Sequence, residues 1–221
     1  MISPLFMEIS PEDLKAYFQR EGVEERKLSP GTVLFEQGAP TKDMVFVLLK
    51  GSVQVERLTP MGRRTIVNRF TRPGTVFGEV YLYLNHRSYD YRCITVKGAQ
   101  ILAIPKEAMN PAKGPVGTKL CYNMLHILSN KAYFLNERLQ IQSADSLRKK
   151  IALYLLKLAK EQDSHQVSLS LTREELADFL AVARPSLSRE LSKMRDDGLL
   201  EMRGKQFTLH LKALEEAAYF S

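Results

Sequence analysis

Cysteine is scarce and scattered: Cys93 and Cys121 are the only two in 221 residues. No CxxC pair exists, so the ligand spacings of zinc sites and iron–sulfur clusters are missing. Both thiols are expected to be reduced and structural, with a thiol redox switch as the minor alternative. Long apolar runs are also missing, and no stretch approaches the length that crosses a bilayer. Met1 to Phe6 contain no basic region followed by an apolar core. No export signal is read there, the cytoplasm is the expected compartment, and no membrane partner is expected. GxSxG, HExxH, P-loop and dinucleotide fingerprints are all absent, and Gly74-Thr75-Val76-Phe77-Gly78 reads as a turn rather than a phosphate loop. The chain is not expected to be an enzyme.

What is present is the composition of a soluble globular protein, 44% hydrophobic and 26% charged, at a length that suits two domains. Aromatic and β-branched residues run throughout, which argues against wholesale disorder. The net charge of +7 favours a polyanionic partner. Its distribution qualifies that reading: 19 Lys+Arg face 13 Asp+Glu up to Ala144, and 13 face 12 from Asp145 onward. Any positive surface in the C-terminal part must therefore be local.

Four regimes follow one another. Ser10 to Gln19 reads as a short amphipathic helix: Ser10 is a good N-cap, Pro11 suits the first helical position, and Glu12 and Asp13 occupy the first turn. From Glu24 to about Pro105, short β-branched runs alternate with glycine. They include Thr32 to Phe35, Met44 to Leu49, Ser52 to Glu56, Thr65 to Phe70 and Gln100 to Ile104, with Pro30-Gly31 and Pro73-Gly74 as turns. Many short strands with regular turns predict a small β-barrel or roll. From Gly117, the residues Cys121, Leu125, Leu128, Ala132, Leu135 and Leu139 recur at steps of four and three, as in a heptad seam. Met124, Ile127, Phe134 and Ile141 form a second apolar face. One stripe is expected to pair with a partner helix and the other to pack on the roll, the alternative being a core helix within one subunit. The last regime opens with a helix over Ser146 to Lys160, then a polar loop, then the alternating run Val167 to Leu171.

Thr172 followed by Glu175 is a capping box. It starts a helix whose apolar face is Leu176, Ala177, Phe179 and Leu180. Ala181-Val182-Ala183 is a tight turn, and a second helix carries Leu187, Leu191 and Met194 on its inner face. Arg184, Pro185, Ser186, Ser188, Arg189, Ser192 and Lys193 are left for the outer faces. Such a helix-turn-helix can insert its second helix into a major groove, where arginine suits guanine and serine suits phosphates or bases. Arg184, Arg189, Lys193 and Arg195 outnumber Glu190, which supplies the local positive surface. Asp197-Gly198 is a turn. Leu199 to Met202 and Gln206 to Leu209 then read as a hairpin wing whose tip, Arg203-Gly204-Lys205, suits backbone phosphates. Thr172 and Arg173 at the mouth of the first helix complete the expected DNA-binding set. A nucleotide-binding module alone would explain the roll but not this wing, and a structural interaction protein would not need the basic, serine-rich outer face.

In this order the motifs resemble the Crp–Fnr family of bacterial regulators over nearly the whole chain. The resemblance is carried by Pro30-Gly31, Glu36-Gln37-Gly38, Leu49 to Val53, Gly62-Arg63-Arg64, Pro73 to Glu79, Leu176 to Leu180, and Arg184 to Leu191. It implies an α+β fold made of an N-terminal double-stranded β-helix (a cyclic-nucleotide-binding-like roll), a long dimerisation helix and a C-terminal winged helix-turn-helix. The implied boundaries are 1–115, 116–142 and 143–221. The implied function is a dimeric, sequence-specific transcription regulator controlled by an effector in the roll. Its implied partners are double-stranded DNA with a palindromic operator, a second copy of the chain, a small-molecule effector and RNA polymerase.

The resemblance further implies that Arg184, Ser188 and Arg189 read the half-site. Pro185 stands where many members carry a base-reading glutamate, so the half-site should differ. In cyclic-nucleotide-binding members a Gly-Glu turn meets the ribose and an Arg-Ser pair the phosphate. Gly78, Glu79, Val80, Arg87 and Ser88 match that cassette, and Asn136 aligns with the polar pair of the dimer helix that meets the purine. Tyr89, Asp90 and Tyr91 after the pair, and Tyr81 and Tyr83 within it, depart from the pattern. The cofactor is therefore left open: a cyclic nucleotide is possible but not favoured, a different small ligand is favoured, and no ligand or redox sensing stays open. Haem, for which His86 and His126 would be the candidates, is disfavoured, and no iron–sulfur cluster is expected.

Overall fold

The computed structural model describes residues 3–59, 61–84 and 87–219. The chain divides into two compact units, residues 1–129 and 130–221. The first begins with helix α1 (Pro11–Arg20), whose N-cap Ser10 accepts from the Asp13 amide at 3.1 Å. Then come strands β1 (Glu24–Leu28), β2 (Val33–Phe35), β3 (Met44–Leu58), β4 (Arg64–Phe70) and β5 (Val76–Phe77), the short helix α2 (Val80–Tyr83) and strand β6 (Arg92–Pro105). The pairing is antiparallel in the order β1-β6-β3-β4, with β2 also on β6 and β5 also on β3.

The sequence pattern breaks Met44 to Glu56 into two runs at Gly51. The chain instead forms one bent strand, β3, 15 residues long. The bend has a steric cause. Gly51 has φ +87°, and a Cβ there would lie 2.2 Å from the Gly98 carbonyl oxygen on β6. Only glycine tolerates both the left-handed backbone and the contact. The β3–β6 register slips on either side of this point, between Leu48 and Lys50 and between Gly51 and Val53. Gln100 to Ile104, read as a strand of its own, is likewise the second half of β6.

Ahead of the bend β3 feeds two cores. Val45 and Val47 join Leu5, Tyr17, Ile104, Met109, Leu120 and Met124. Phe46 and Leu48 face the roll interior, which also holds Phe35, Val53, Phe77, Tyr81, Tyr89, Cys93 and Ile101. Past the bend, Gln54 and Glu56 are buried on the opposite face. Gln54 donates to Glu56 at 2.9 Å and accepts from Arg69 at 2.7 Å, while Arg64 and Arg92 pair with Glu56 at 3.7 and 3.6 Å. A fully buried carboxylate needs such company.

Helix α3 (Pro115–Gln142) crosses the division between the units. In the second unit follow α4 (Leu147–Glu161), β7 (Gln166–Ser168), α5 (Arg173–Leu180), α6 (Arg184–Asp196), β8 (Leu200–Arg203), β9 (Gln206–Leu209) and α7 (Leu211–Tyr219). β7, β9 and β8 form a three-stranded antiparallel sheet. The core collects Ile151, Leu155, Leu176, Leu180, Leu187, Leu191, Met194 and Phe207. It also includes Leu214, Ala217 and Ala218 of α7, a helix absent from the sequence-based expectation. The second apolar face of α3 is not a single stripe against the roll. Met124 is buried in the first unit, Ile141 in the core of the second, and Phe134 lies beside Phe179.

Cys93 is fully buried, and burial together with the Glu56 charge pushes its thiol up to about 12. Native protein at pH 8 is expected to resist iodoacetamide at Cys93, with rapid reaction once denatured. The neutral thiol stabilises the fold fully below its ordinary value of 9.0, and this contribution is lost as pH rises toward about 12. Denaturation midpoints should fall across that window, and less so in Cys93→Ala.

Candidate functional site

The helix-turn-helix forms as its caps require. The Thr172 hydroxyl accepts from the Glu175 amide at 3.2 Å, and the Glu175 carboxylate accepts from the Thr172 amide at 2.7 Å. These bonds hold the Glu175 carboxyl below its usual range. α5 ends at Ala181, a left-handed residue with φ +56°, and Ala183 is the extended N-cap of α6. Ala183 contributes no side-chain cap, so the first amides of α6 are not closed by a side chain.

On α6, Leu187, Leu191 and Met194 are buried. Arg184, Pro185, Ser186, Ser188, Arg189 and Lys193 are exposed, and Ser192 is half-buried. Among the described residues, Arg184, Arg189 and Lys193 have no carboxylate partner. Glu190 of the helix and Asp197 at its C-cap are neutralised from behind. Arg148 of α4 donates to Glu190 at 2.7 Å and pairs with Asp197 at 2.7 Å. Arg195, counted by sequence in the positive surface, is paired with Asp196 at 2.8 Å. The cationic set on α6 is thus Arg184, Arg189 and Lys193.

Around the mouth of α5 lies a cleft of about 530 Å³ lined by Leu169, Leu171, Thr172, Arg173, Arg195, Met202, Gly204 and Lys205. Arg173 does not simply project from it. Its guanidinium lies over the Phe207 ring, 4.9 Å from the centroid, and its Nη2 approaches the Met202 sulfur at 3.5 Å. Burial lowers its pKa, and its buried Nη1 has no hydrogen-bond partner. Lys205 donates to the Ser170 carbonyl at 3.1 Å, and Arg203 is exposed on the wing.

The effector cassette is a separate place, in the first unit. Gly78 (φ +81°) turns the chain between β5 and α2, where a Cβ would meet the Phe46 ring at 3.0 Å. Glu79 is buried, and Val80, Arg87 and Ser88 are exposed. Asn85 and His86 lie outside the described residues, so the candidate role of His86 is not addressed by the structure. His126 is exposed on α3, and Asn136 is exposed on the part of α3 in the second unit.

Of the tyrosines that depart from the nucleotide pattern, Tyr81 and Tyr89 turn inward, Tyr91 is half-buried and Tyr83 is 49% exposed. Tyr89 stacks on Phe35 with centroids 4.3 Å apart and accepts from the Lys42 amide at 2.9 Å. Tyr81 meets Tyr89 edge-on at 4.9 Å and accepts from the Asp90 amide at 3.1 Å. With Phe46 stacked on Phe77 at 5.4 Å, aromatic rings occupy the roll interior.

Of the expected seam on α3, Leu125, Leu135 and Leu139 are 57%, 55% and 64% exposed, and Ala132 is exposed. Cys121 and Leu128 are half-buried, the latter against the first unit's core. Among the described residues no helix is long and apolar enough to cross a membrane.

Two family descriptions match the chain: a Crp-like helix-turn-helix domain over residues 149–217 and a cyclic nucleotide-binding domain over residues 25–112. The transcriptional regulator LdrP of Thermus thermophilus is 31% identical over 180 residues, covering 79% of this chain and 87% of that protein. The catabolite activator protein of the same organism superposes with a TM-score of 0.53 at 22% identity, over 99% of each chain. CprK in complex with OCPA superposes with a TM-score of 0.64 at 12% identity, over 95% of this chain and 94% of that one. At these identities the two structures establish the fold alone.

Removing the Arg148 clamp leaves Glu190 and Asp197 uncompensated on the helix that carries the cations. Arg148→Ala is expected to cost about 1 kcal/mol of stability, the pair being partly exposed. It should also weaken binding to duplexes of any sequence. Wild-type duplex affinity in this variant, measured at fixed salt, would deny the clamp an electrostatic role.

Proposed function

We infer the role of this chain from its descent, because it belongs to the Crp–Fnr family of transcription regulators. It is a DNA-binding regulator, with a reader in residues 143–221, a dimer helix in 116–142 and an effector-sensing roll in 1–115. The observation that carries the reading is α6: three cations exposed without carboxylate partners among the described residues, on a helix whose Glu190 and C-cap Asp197 are neutralised from behind. Set into a major groove, Arg184 and Arg189 reach base edges, where each bidentate arginine–guanine contact is worth about 1–3 kcal/mol of discrimination. Ser186, Ser188, Ser192 and Lys193 serve bases and phosphates along the same helix, and Pro185 adds an apolar contact that accepts no hydrogen bond. Thr172, Arg173, Arg203 and Lys205 hold the backbone on either side.

Exposed leucines on α3 favour a dimer. Leu125, Leu135 and Leu139, 55–64% exposed, would each gain about 1–2 kcal/mol on burial of what remains exposed, and two copies present two readers to a palindrome. Leu135→Lys with Leu139→Lys is expected to sediment as a monomer; a persisting dimer would move the seam elsewhere.

The effector is a small molecule other than a cyclic nucleotide, since Tyr81 and Tyr89 fill the roll interior, and Glu79, Arg87 and Ser88 are its proposed contacts in the first unit. RNA polymerase is the proposed protein partner and the cytoplasm the proposed compartment.

The test is selection from a pool of random duplexes at fixed salt, with and without cyclic AMP. A palindrome enriched equally in both conditions is expected, and enrichment only with the nucleotide would overturn the aromatic-plug argument. On the enriched site, Arg189→Ala should lose about 1–3 kcal/mol of sequence preference; unchanged preference would mean that another face reads the bases.

A further inference from the structure

The reader is held by more than its own turn. α5 ends without glycine: Ala181 is left-handed, and its amide reaches the Ala177 and Asp178 carbonyls. The last carbonyls of α5 carry the negative end of the helix dipole. They receive donors from the final turns of α3. Arg138 donates from Nε to the Phe179 carbonyl at 3.2 Å and from Nη2 to the Asp178 carbonyl at 2.8 Å. Gln142, one turn further along α3, donates to the Phe179 carbonyl at 2.6 Å. The Arg138 guanidinium also lies over the Phe179 ring at 5.6 Å, and Phe134 packs against the same ring at 5.9 Å.

This end of α3 is itself fixed. Glu137 forms a close pair with Lys157 of α4, and Lys157 also faces the Phe134 ring at 5.8 Å. Burial of Glu137 opposes its ionisation, but the bonds from Lys157 and Tyr133 outweigh it and hold the carboxyl below its usual range. Only Leu180 to Ala183 separate the clamped carbonyls from Arg184, the first residue of α6. A change in the direction of the end of α5 is therefore a change in the direction in which α6 starts.

We propose that Arg138, seconded by Gln142, is a positioning residue for DNA reading: it ties the C-terminus of α5 to the long helix α3 and so fixes the orientation in which Arg184 and Arg189 are presented. The inference rests on the reading of α6 as the DNA-contacting helix. It assigns Arg138 no phosphate, because its donors are directed at backbone carbonyls within the fold. A cation is the suitable group there, since a charge-assisted bond to a helix C-terminus is stronger than a neutral one.

The experiment compares the full-length wild type, Arg138→Ala, Arg138→Lys and Gln142→Ala on the enriched operator and on a scrambled duplex, across a salt series. Arg138→Ala should lose about tenfold on the operator, keep its affinity for the scrambled duplex and keep the salt slope. Arg138→Lys should recover part of the loss, because an ammonium still donates to a carbonyl. Amide exchange should quicken from Ala181 to Leu187 and not in α4. Should Arg138→Ala fail to fold, Gln142→Ala gives the same readouts, with a smaller loss expected.

Unchanged discrimination with unchanged exchange would overturn the inference and leave the function standing. A salt slope reduced by about one, with both duplexes weakened alike, would also overturn it by making Arg138 a phosphate contact. A wild type that prefers no duplex over the scrambled one would overturn the reading of α6, and this inference with it.

Discussion

The crossing of Gly51 over Gly98 is the contact on which the sensor unit depends. β3 and β6 are its two long strands, and they pass so closely that a single Cβ on Gly51 would lie 2.2 Å from a carbonyl oxygen. Because the backbones touch, both strands can bend at one point and remain paired on either side of it. The first half of β3 then lies between two apolar cores, while the second half carries Gln54 and Glu56 into a buried ionic cluster.

The aromatic filling of the roll follows from that geometry. The interior is bounded by the bent pair and closed by α2 and the segment before β6, and its volume must be filled to the density of any protein core. Here Phe35, Phe46, Phe77, Tyr81 and Tyr89 fill it, and the tyrosine hydroxyls are satisfied by the Asp90 and Lys42 amides. Burial holds Tyr81 neutral, with its pKa pushed up to about 12. A ring that is buried, stacked and hydrogen-bonded is costly to displace.

Local signals were legible in the residues, and long-range ones were not. Ser10, Thr172 with Glu175, and the alternation in the wing each act within a few positions, and each element forms where its signal stands. The steps of four and three on α3 predicted a helix correctly. They could not tell which core each apolar residue would join, so Met124 and Ile141 were assigned to one stripe though they serve different units. Gly51 was legible as an interruption but not as a bend, because its meaning depends on Gly98 across the sheet. α7 was missed although Leu214, Ala217 and Ala218 lie at helical spacing, since no N-cap residue announces it. The inward turn of Tyr81 and Tyr89, the stacking of Arg173 on Phe207 and the pairing of Arg148 with Glu190 all join residues far apart in sequence.

Charge in the second unit illustrates why totals mislead. From Asp145 onward the chain is nearly neutral, 13 basic against 12 acidic residues, yet α6 presents a cationic face. Neutrality and a directed field coexist because the opposite charges are placed on different sides. Glu190 and Asp197 face Arg148, Asp196 is matched by Arg195, and Glu175 is spent on the Thr172 amide. Glu190, Asp196 and Asp197 have their fields offset by guanidinium groups within a few ångströms, whereas Arg184, Arg189 and Lys193 keep theirs. What a polyanion meets within a Debye length is that remainder. The same placement stiffens the reader, since the arginine that neutralises α6 also holds it to α4, while Arg138 and Gln142 hold the preceding helix to α3. Arg148 therefore provides electrostatic presentation and mechanical support at once.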